Sequence, residues 1–199
     1  PEPPTGHLAA MALAAGTAPV PMVAGESPVY AMSHQVFPWL PLAAVIDGSI
    51  LVVHGGIGDG NFSLDDINRI PRPLLGIDQS PLAANLLWSD PSDSDERMAW
   101  GVHGSPRGAS ILQFGPDVTA AFCRRNDLSM IVRSHQYVPD GYKVMHGGRL
   151  LTVFSARNYM DSVSNDGAML LAAADADGNL RVRPKRLVQR MAAQEGELM

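Results

Sequence analysis

Residues 50–60 read ILVVHGGIGDG and residues 130–142 read MIVRSHQYVPDGY. Each opens on a short apolar run rich in β-branched residues, which predicts a buried strand, and each run leads directly to a histidine: His54 in the first, His135 in the second. Loops at strand ends are where a rigid scaffold presents reactive groups. The paired Gly55 and Gly56 let the backbone approach a ligand closely and adopt conformations that other residues resist. Imidazole binds most transition metals, but a histidine after a strand also serves as a hydrogen-bonded structural residue, and either string alone leaves both readings open.

Around these strings the pattern predicts a mixed α/β (α+β) layered fold of strands with a few helices. Ala43 to Ile46 and Ile50 to Val53 flank the turn pair Asp47-Gly48 and read as a buried hairpin. Ser63 caps a short helix, Leu64 to Ile70, which Pro71 stops. The best helix opens on Pro116, carries Val118, Ala121 and Phe122 at helical spacing, ends with Arg124 and Arg125 where the dipole favours cations, and stops at Asn126. Five further strand-like runs follow: Ser129 to Val132, Tyr142 to Met145, Leu150 to Phe154, Ala168 to Ala173 and Leu180 to Arg183. The Asp175-Ala-Asp-Gly-Asn stretch closes the last hairpin. It has calcium-loop residue types without the twelve-residue spacing or terminal glutamate, so it reads as a plain turn.

Residues 1–28, rich in alanine, proline and glycine, read as a linker or disordered tail, residues 29–187 as the working domain and residues 188–199 as a polar tail. With 199 residues, 46% hydrophobic and 18% charged, the chain has enough apolar sequence for one substantial core. A net charge of −5 argues against nucleic acid as a partner. No apolar run approaches the roughly 20 residues of a membrane-spanning helix. Leu8 to Ala15 is apolar, but nothing basic precedes it, so a linker explains it better than a signal peptide. Cys123 is the single cysteine. It reads as a small core residue, and the impossibility of an intrachain disulfide fits a reducing compartment, cytoplasmic or nuclear. The start at Pro1 suggests a processed chain or a piece of a longer one. His7, His34, His103 and His146 are expected at the surface.

Four strings in one order carry more weight than any residue alone. LPLAAVIDGSILVVHGGI (40–57), LLWSDP (86–91), RGASILQFG (107–115), and IVRSHQYVPDGY (131–142) followed by LTVFSARNY (151–159) closely resemble the C-terminal half of the PPP family of serine/threonine phosphatases. That family lies within the calcineurin-like metallophosphoesterase superfamily, and its Kelch-repeat and type-one-like branches look nearest. The resemblance runs from about Val29 to Leu187. It implies a β-sandwich flanked by helices, here partial, and two divalent metal ions (manganese, iron or zinc) whose bridging water attacks phosphorus in line. Carried over by motif, His54 and His135 resemble two ligands of the second metal, Arg107 resembles the arginine that grips phosphate, Tyr159 lines the substrate cleft, and Asp90 resembles a carboxylate that orients its neighbours. Arginine supplies the fork geometry that phosphate oxygens accept in pairs, and on residue type Arg133 is a candidate beside Arg107. Against these stand plainer readings: a turn-capping aspartate for Asp90 and core packing for Tyr159. Met160 stands where many relatives carry cysteine, and Arg157 where they carry proline, which changes the expected cleft.

Three signatures of the family's N-terminal half, Gly-Asp-x-His-Gly, Gly-Asp-x-x-Asp-Arg-Gly and Gly-Asn-His-Glu, do not occur in the sequence. The resemblance assigns to them the first metal's ligands, the bridging aspartate, the asparagine ligand of the second metal, the histidine that protonates the leaving group and a second phosphate arginine. The expectation is therefore a phosphoserine/phosphothreonine phosphatase with an incomplete site, supplying ligands for one metal only and inactive by itself. Phosphoprotein substrates are implied, with regulatory subunits or Kelch repeats as further partners. The alternative is a phosphatase-like binding module that has lost catalysis. On either reading, sheet edges and apolar surface are left uncovered.

Overall fold

The structure, a computed structural model, describes residues 27–159, 164–178 and 180–188. The expectations for residues 1–28 and 188–199 fall almost wholly outside these, and so does Met160.

In chain order the elements are helix α1 (Pro28–Val36), strands β1 (Ala43–Ile46) and β2 (Ile50–Val53), helices α2 (Leu64–Asn68) and α3 (Pro81–Trp88), strands β3 (Asp90–Pro91), β4 (Val102–Ser105) and β5 (Gly108–Phe114), helix α4 (Pro116–Arg125), and strands β6 (Met130–Arg133), β7 (Tyr142–Met145), β8 (Leu150–Val153), β9 (Gly167–Ala174) and β10 (Leu180–Leu187). The chain divides into two units, one running to His135 and including Val144–Leu151, the other comprising Gln136–Lys143 and the residues from Thr152 onward. Strands β7 and β8 contribute to both.

One sheet has the order β1-β2-β6-β8-β7, and a smaller one has the order β3-β5-β4. The Asp47-Gly48 pair closes β1 on β2 in antiparallel register, Ile46 opposite Ile50, both turn residues taking positive φ as such a turn requires. Only β2 is buried, however. Val45 and Ile46 of β1 are each 42% exposed, because among the described residues β1 is the sheet's edge and has a neighbour on one side only. The expected buried hairpin is thus half-buried.

Helix α2 begins as its sequence dictates: Ser63 Oγ accepts from the Asp66 N–H, and Asp66 Oδ2 accepts from the Ser63 N–H at 2.8 Å, a reciprocal cap. Helix α4 starts at Pro116 and ends before Asn126, and buries Thr119, Phe122 and Cys123 against the core. Burial raises the Cys123 thiol to about 11, as expected of an inert core residue. The core of the first unit is Leu51, Val53, Ile57, Leu86, Phe114, Phe122, Ile131 and Leu150 with their neighbours. Helix α3, not among the expected elements, carries its own signature: Ser80 Oγ caps the Ala83 N–H and Pro81 takes the first turn.

In the second unit β9 and β10 pair antiparallel from Gly167 opposite Leu187 to Ala174 opposite Leu180, around the expected turn at Asp175. The described residues contain no helix long and apolar enough to cross a membrane.

Candidate active site

Strands β2 and β6 lie side by side in parallel, Ile50 opposite Met130 and Val52 opposite Val132. Continuing that register puts position 54 opposite 134, and the Ser134 N–H indeed donates to the His54 carbonyl at 3.1 Å. Two apolar runs in parallel register therefore deliver their terminal histidines to the same sheet end, the place where open parallel sheets hold ligands. His54 Nε2 and His135 Nδ1 lie 3.1 Å apart. His135 has φ +67°, a backbone conformation that non-glycine residues rarely occupy and that concentrates at functional sites. The Trp88 ring stands edge-on to the His135 ring, 5.4 Å between centroids.

Both imidazoles are biased toward the neutral form. Burial lowers the His54 pKa, helped by the nearby Arg133 and Arg107 and opposed by Asp90. Burial likewise brings His135 down to about 4, with Arg107 adding to the effect and Asp90 countering it. The neutral ring is the form that ligates metal. His135 Nε2 is buried with no hydrogen-bond partner. Two converging neutral imidazoles suit a divalent transition-metal ion in type, but such an ion takes four or more donors, and the described residues contain no group of three or more His, Cys, Asp or Glu able to hold one. The chain as described offers part of a ligand set.

The glycines after His54 are needed for space. The Gly55 N–H donates to the Leu86 carbonyl at 2.8 Å, and a Cβ on Gly55 would lie 2.5 Å from the Leu87 carbonyl carbon. At Gly56 a Cβ would strike the Phe114 ring and lie 2.7 Å from Ser89 Oγ. The His54 loop thus lies flush on the end of α3, and Ser89 Oγ accepts from the Gly58 N–H at 3.1 Å.

Directly after α3 comes Asp90, buried, whose carboxylate accepts from two arginines. Arg107 Nε donates to Oδ2, and Arg133 Nη2 donates to Oδ1 at 2.7 Å. Among the described residues Asp90 caps neither a helix nor a turn. The two guanidiniums have different surroundings. Arg133 is wholly buried, its Nε donating to the Gly55 carbonyl at 2.5 Å and its Nη2 also to the Ser89 carbonyl at 3.3 Å. Burial lowers its pKa to about 10, with Asp90 opposing. A fork committed to protein oxygens cannot grip a ligand, so the expectation that Arg133 is a phosphate residue is corrected: it ties β6 to the His54 loop and the end of α3. Arg107, its side chain 30% exposed, uses only Nε on Asp90, and its two terminal nitrogens have no partner among the described residues. Those nitrogens form the half of the fork suited to an oxyanion.

Tyr159 belongs to the second unit. It is 57% exposed, its ring stands edge-on to Phe154 at 5.0 Å, and its N–H donates to Asn165 Oδ1 at 3.0 Å. It is therefore not packed in a core. His103, on strand β4, is exposed as expected, whereas the surface expectation for His146 needs revision. His146 is 2% exposed, folded in between α4 and the segment after Asp90.

The family described as calcineurin-like phosphoesterase matches residues 19–139. Among curated proteins, human serine/threonine-protein phosphatase 5 is 45% identical over 143 residues, covering 71% of this chain and 27% of that protein. Serine/threonine-protein phosphatase BSL2 of Arabidopsis thaliana is 41% identical, covering 71% of this chain and 14% of that protein. Serine/threonine-protein phosphatase T of Trypanosoma brucei brucei is 40% identical, covering 73% and 30%. A solved structure of a Saccharomyces cerevisiae protein serine/threonine phosphatase, described as similar to human phosphatase PP5, superposes with a TM-score of 0.66 at 33% identity over 84% of this chain and 53% of that one. The chain thus spans less than a third of each of these curated relatives.

Proposed function

Because the chain belongs to the calcineurin-like phosphoesterase family, we propose that it is part of a phosphoprotein phosphatase hydrolysing phosphoserine and phosphothreonine. The observation that carries this reading is one constellation: two neutral imidazoles 3.1 Å apart at the end of two parallel strands, beside an arginine that a buried carboxylate holds by one nitrogen. His54 Nε2 and His135 Nδ1 would hold one of two divalent metal ions, manganese, iron or zinc. Bound metal would acidify a water and offset the charge of the phosphate.

The chain's own residues do the rest of what it can do. The terminal nitrogens of Arg107 take two phosphate oxygens in parallel, and Asp90 fixes the plane of that guanidinium so that its orientation is set before substrate arrives. Trp88 stands edge-on to His135, whose Nε2 is buried. Tyr159 would line the substrate cleft. The remaining metal ligands, the proton donor for the leaving group and a second arginine would come from the three signatures this sequence lacks, so the chain by itself would be inactive. Phosphoproteins are the substrates this reading implies, with regulatory subunits or Kelch repeats as further partners, and a reducing compartment, cytoplasm or nucleus, suits the buried free thiol of Cys123.

A second reading, a non-catalytic phosphatase-like binding module, is favoured by the lack of those same signatures. The coding sequence upstream of Pro1 separates the two. Presence of all three signatures, with manganese-dependent release of phosphate from a phosphoserine peptide by the longer polypeptide, supports the enzyme. An upstream sequence without them favours the binding module.

A further inference from the structure

His146 follows β7 at a 3-10 turn, with φ +53°. Asp95 accepts from its N–H at 2.8 Å and from the Gly147 N–H at 3.0 Å, which holds the turn against the segment that follows β3. The imidazole is buried, with the Phe114 ring edge-on at 5.9 Å. Its Nε2 lies 3.1 Å from the Ser92 carbonyl, which can only accept, so Nε2 carries the proton. Nδ1 is then an acceptor, and Thr119 Oγ1, in the middle of α4, lies 2.7 Å away as its donor. Burial lowers the ring's pKa, opposed first by the hydrogen bond to the Ser92 carbonyl and then by Asp95 and Asp117, the charged groups that face it.

Ser92 is two residues from Asp90. Strand β3 consists of Asp90 and Pro91 alone, paired with Gln113 and Phe114, and the Ser92 N–H donates to the Phe114 carbonyl at 2.8 Å. His146 takes the other side of that residue, so Ser92 is held through its N–H by β5 and through its carbonyl by the imidazole. A strand of two residues has little pairing of its own to fix where its side chain points. We propose that His146, anchored to α4 through Thr119, is a positioning residue that sets the Asp90 carboxylate and, through it, the guanidinium of Arg107. The proposal rests on the phosphatase reading for its meaning, since it gives Arg107 the grip on phosphate, but the geometry it asserts can be tested without turnover.

The test is NMR on the 15N-labelled chain. At neutral pH the long-range imidazole spectrum should show His146 as the neutral Nε2–H tautomer; the Nδ1–H tautomer or an imidazolium would overturn the proposal. The Arg107 Nε–H resonance, bonded to Asp90, should shift in His146→Leu toward that of the solvent-exposed Arg124, and return in part in His146→Gln, which keeps a donor for Ser92. If His146→Leu does not fold, Thr119→Val, which removes only the hydroxyl, should move the same resonance in the same direction. A folded variant that melts earlier while the Arg107 resonance stays fixed would mean that His146 only fills the core. Failure here would leave the peptide assay untouched, and failure of that assay would leave this geometry standing.

Discussion

Asp90 accepts from one guanidinium that is wholly buried and from another that reaches solvent. Removing the carboxylate therefore leaves the Arg133 charge inside the fold without its counter-ion, and breaking a buried pair in this way costs about 3–5 kcal/mol. Asp90→Ala is expected to lower the urea midpoint accordingly, whereas Arg107→Ala, which removes a partly exposed partner, should leave it nearly unchanged. His54, His135 and His146 all have pKa values lowered by burial. Groups whose neutral form the fold prefers contribute stability that is full above the unfolded value near 6.5 and is lost as pH falls below it. Urea midpoints should thus fall between pH 7 and pH 5, and His146→Gln should make that dependence shallower. At this scale the sequence makes the ends of apolar runs legible, so His54 and His135 stand out, as does Arg107 by its motif. Whether an arginine turns its fork inward is not written locally: Arg133 is committed by partners 43 and 78 residues away in sequence. His146 is hidden for the same reason, its ring partners being 27 and 54 residues distant.

The element that positions the site is the parallel pair β2 and β6 with the glycine loop on α3. Gly55→Ala would drive a methyl into the backbone of Leu87 and Trp88, which cannot yield as a side chain would. A loss of about 1–3 kcal/mol in urea unfolding is expected, together with weaker broadening of the His54 and His135 resonances by Mn2+, because the loop that carries His54 must lift. By contrast Ser63→Ala, which removes only the cap of α2, should cost about 1 kcal/mol and leave the histidines alone. The hairpin closed by Asp47-Gly48 and the helix opened by Pro116 are readable because their signals are local. Strand β5 was legible only as a motif, and α3 was passed over although Ser80-Pro81 marks its start, because its apolar run reads equally as helix or buried strand.

For the whole molecule, the mixed fold followed from several short strands set among a few helices, and the family from four strings in order. What no local pattern reveals is what covers the rest. Val29, Met32 and Val36 of α1 are more than half exposed, as is Trp39, and β1 is an open apolar edge. An unsheltered edge and helix face invite association. The isolated chain is expected to bind a dye for apolar surface and to associate as its concentration rises; a sharp monomeric melt without dye binding would contradict a half-covered domain. The central claim is that this chain carries one part of a two-metal phosphatase site and needs the other part to act. Its most direct test is release of phosphate from a phosphoserine peptide with added Mn2+, by the chain and by its His135→Ala variant. No release by either is the predicted result, and release by the chain that the substitution abolishes would contradict the claim, since a working site would then assemble from this sequence alone.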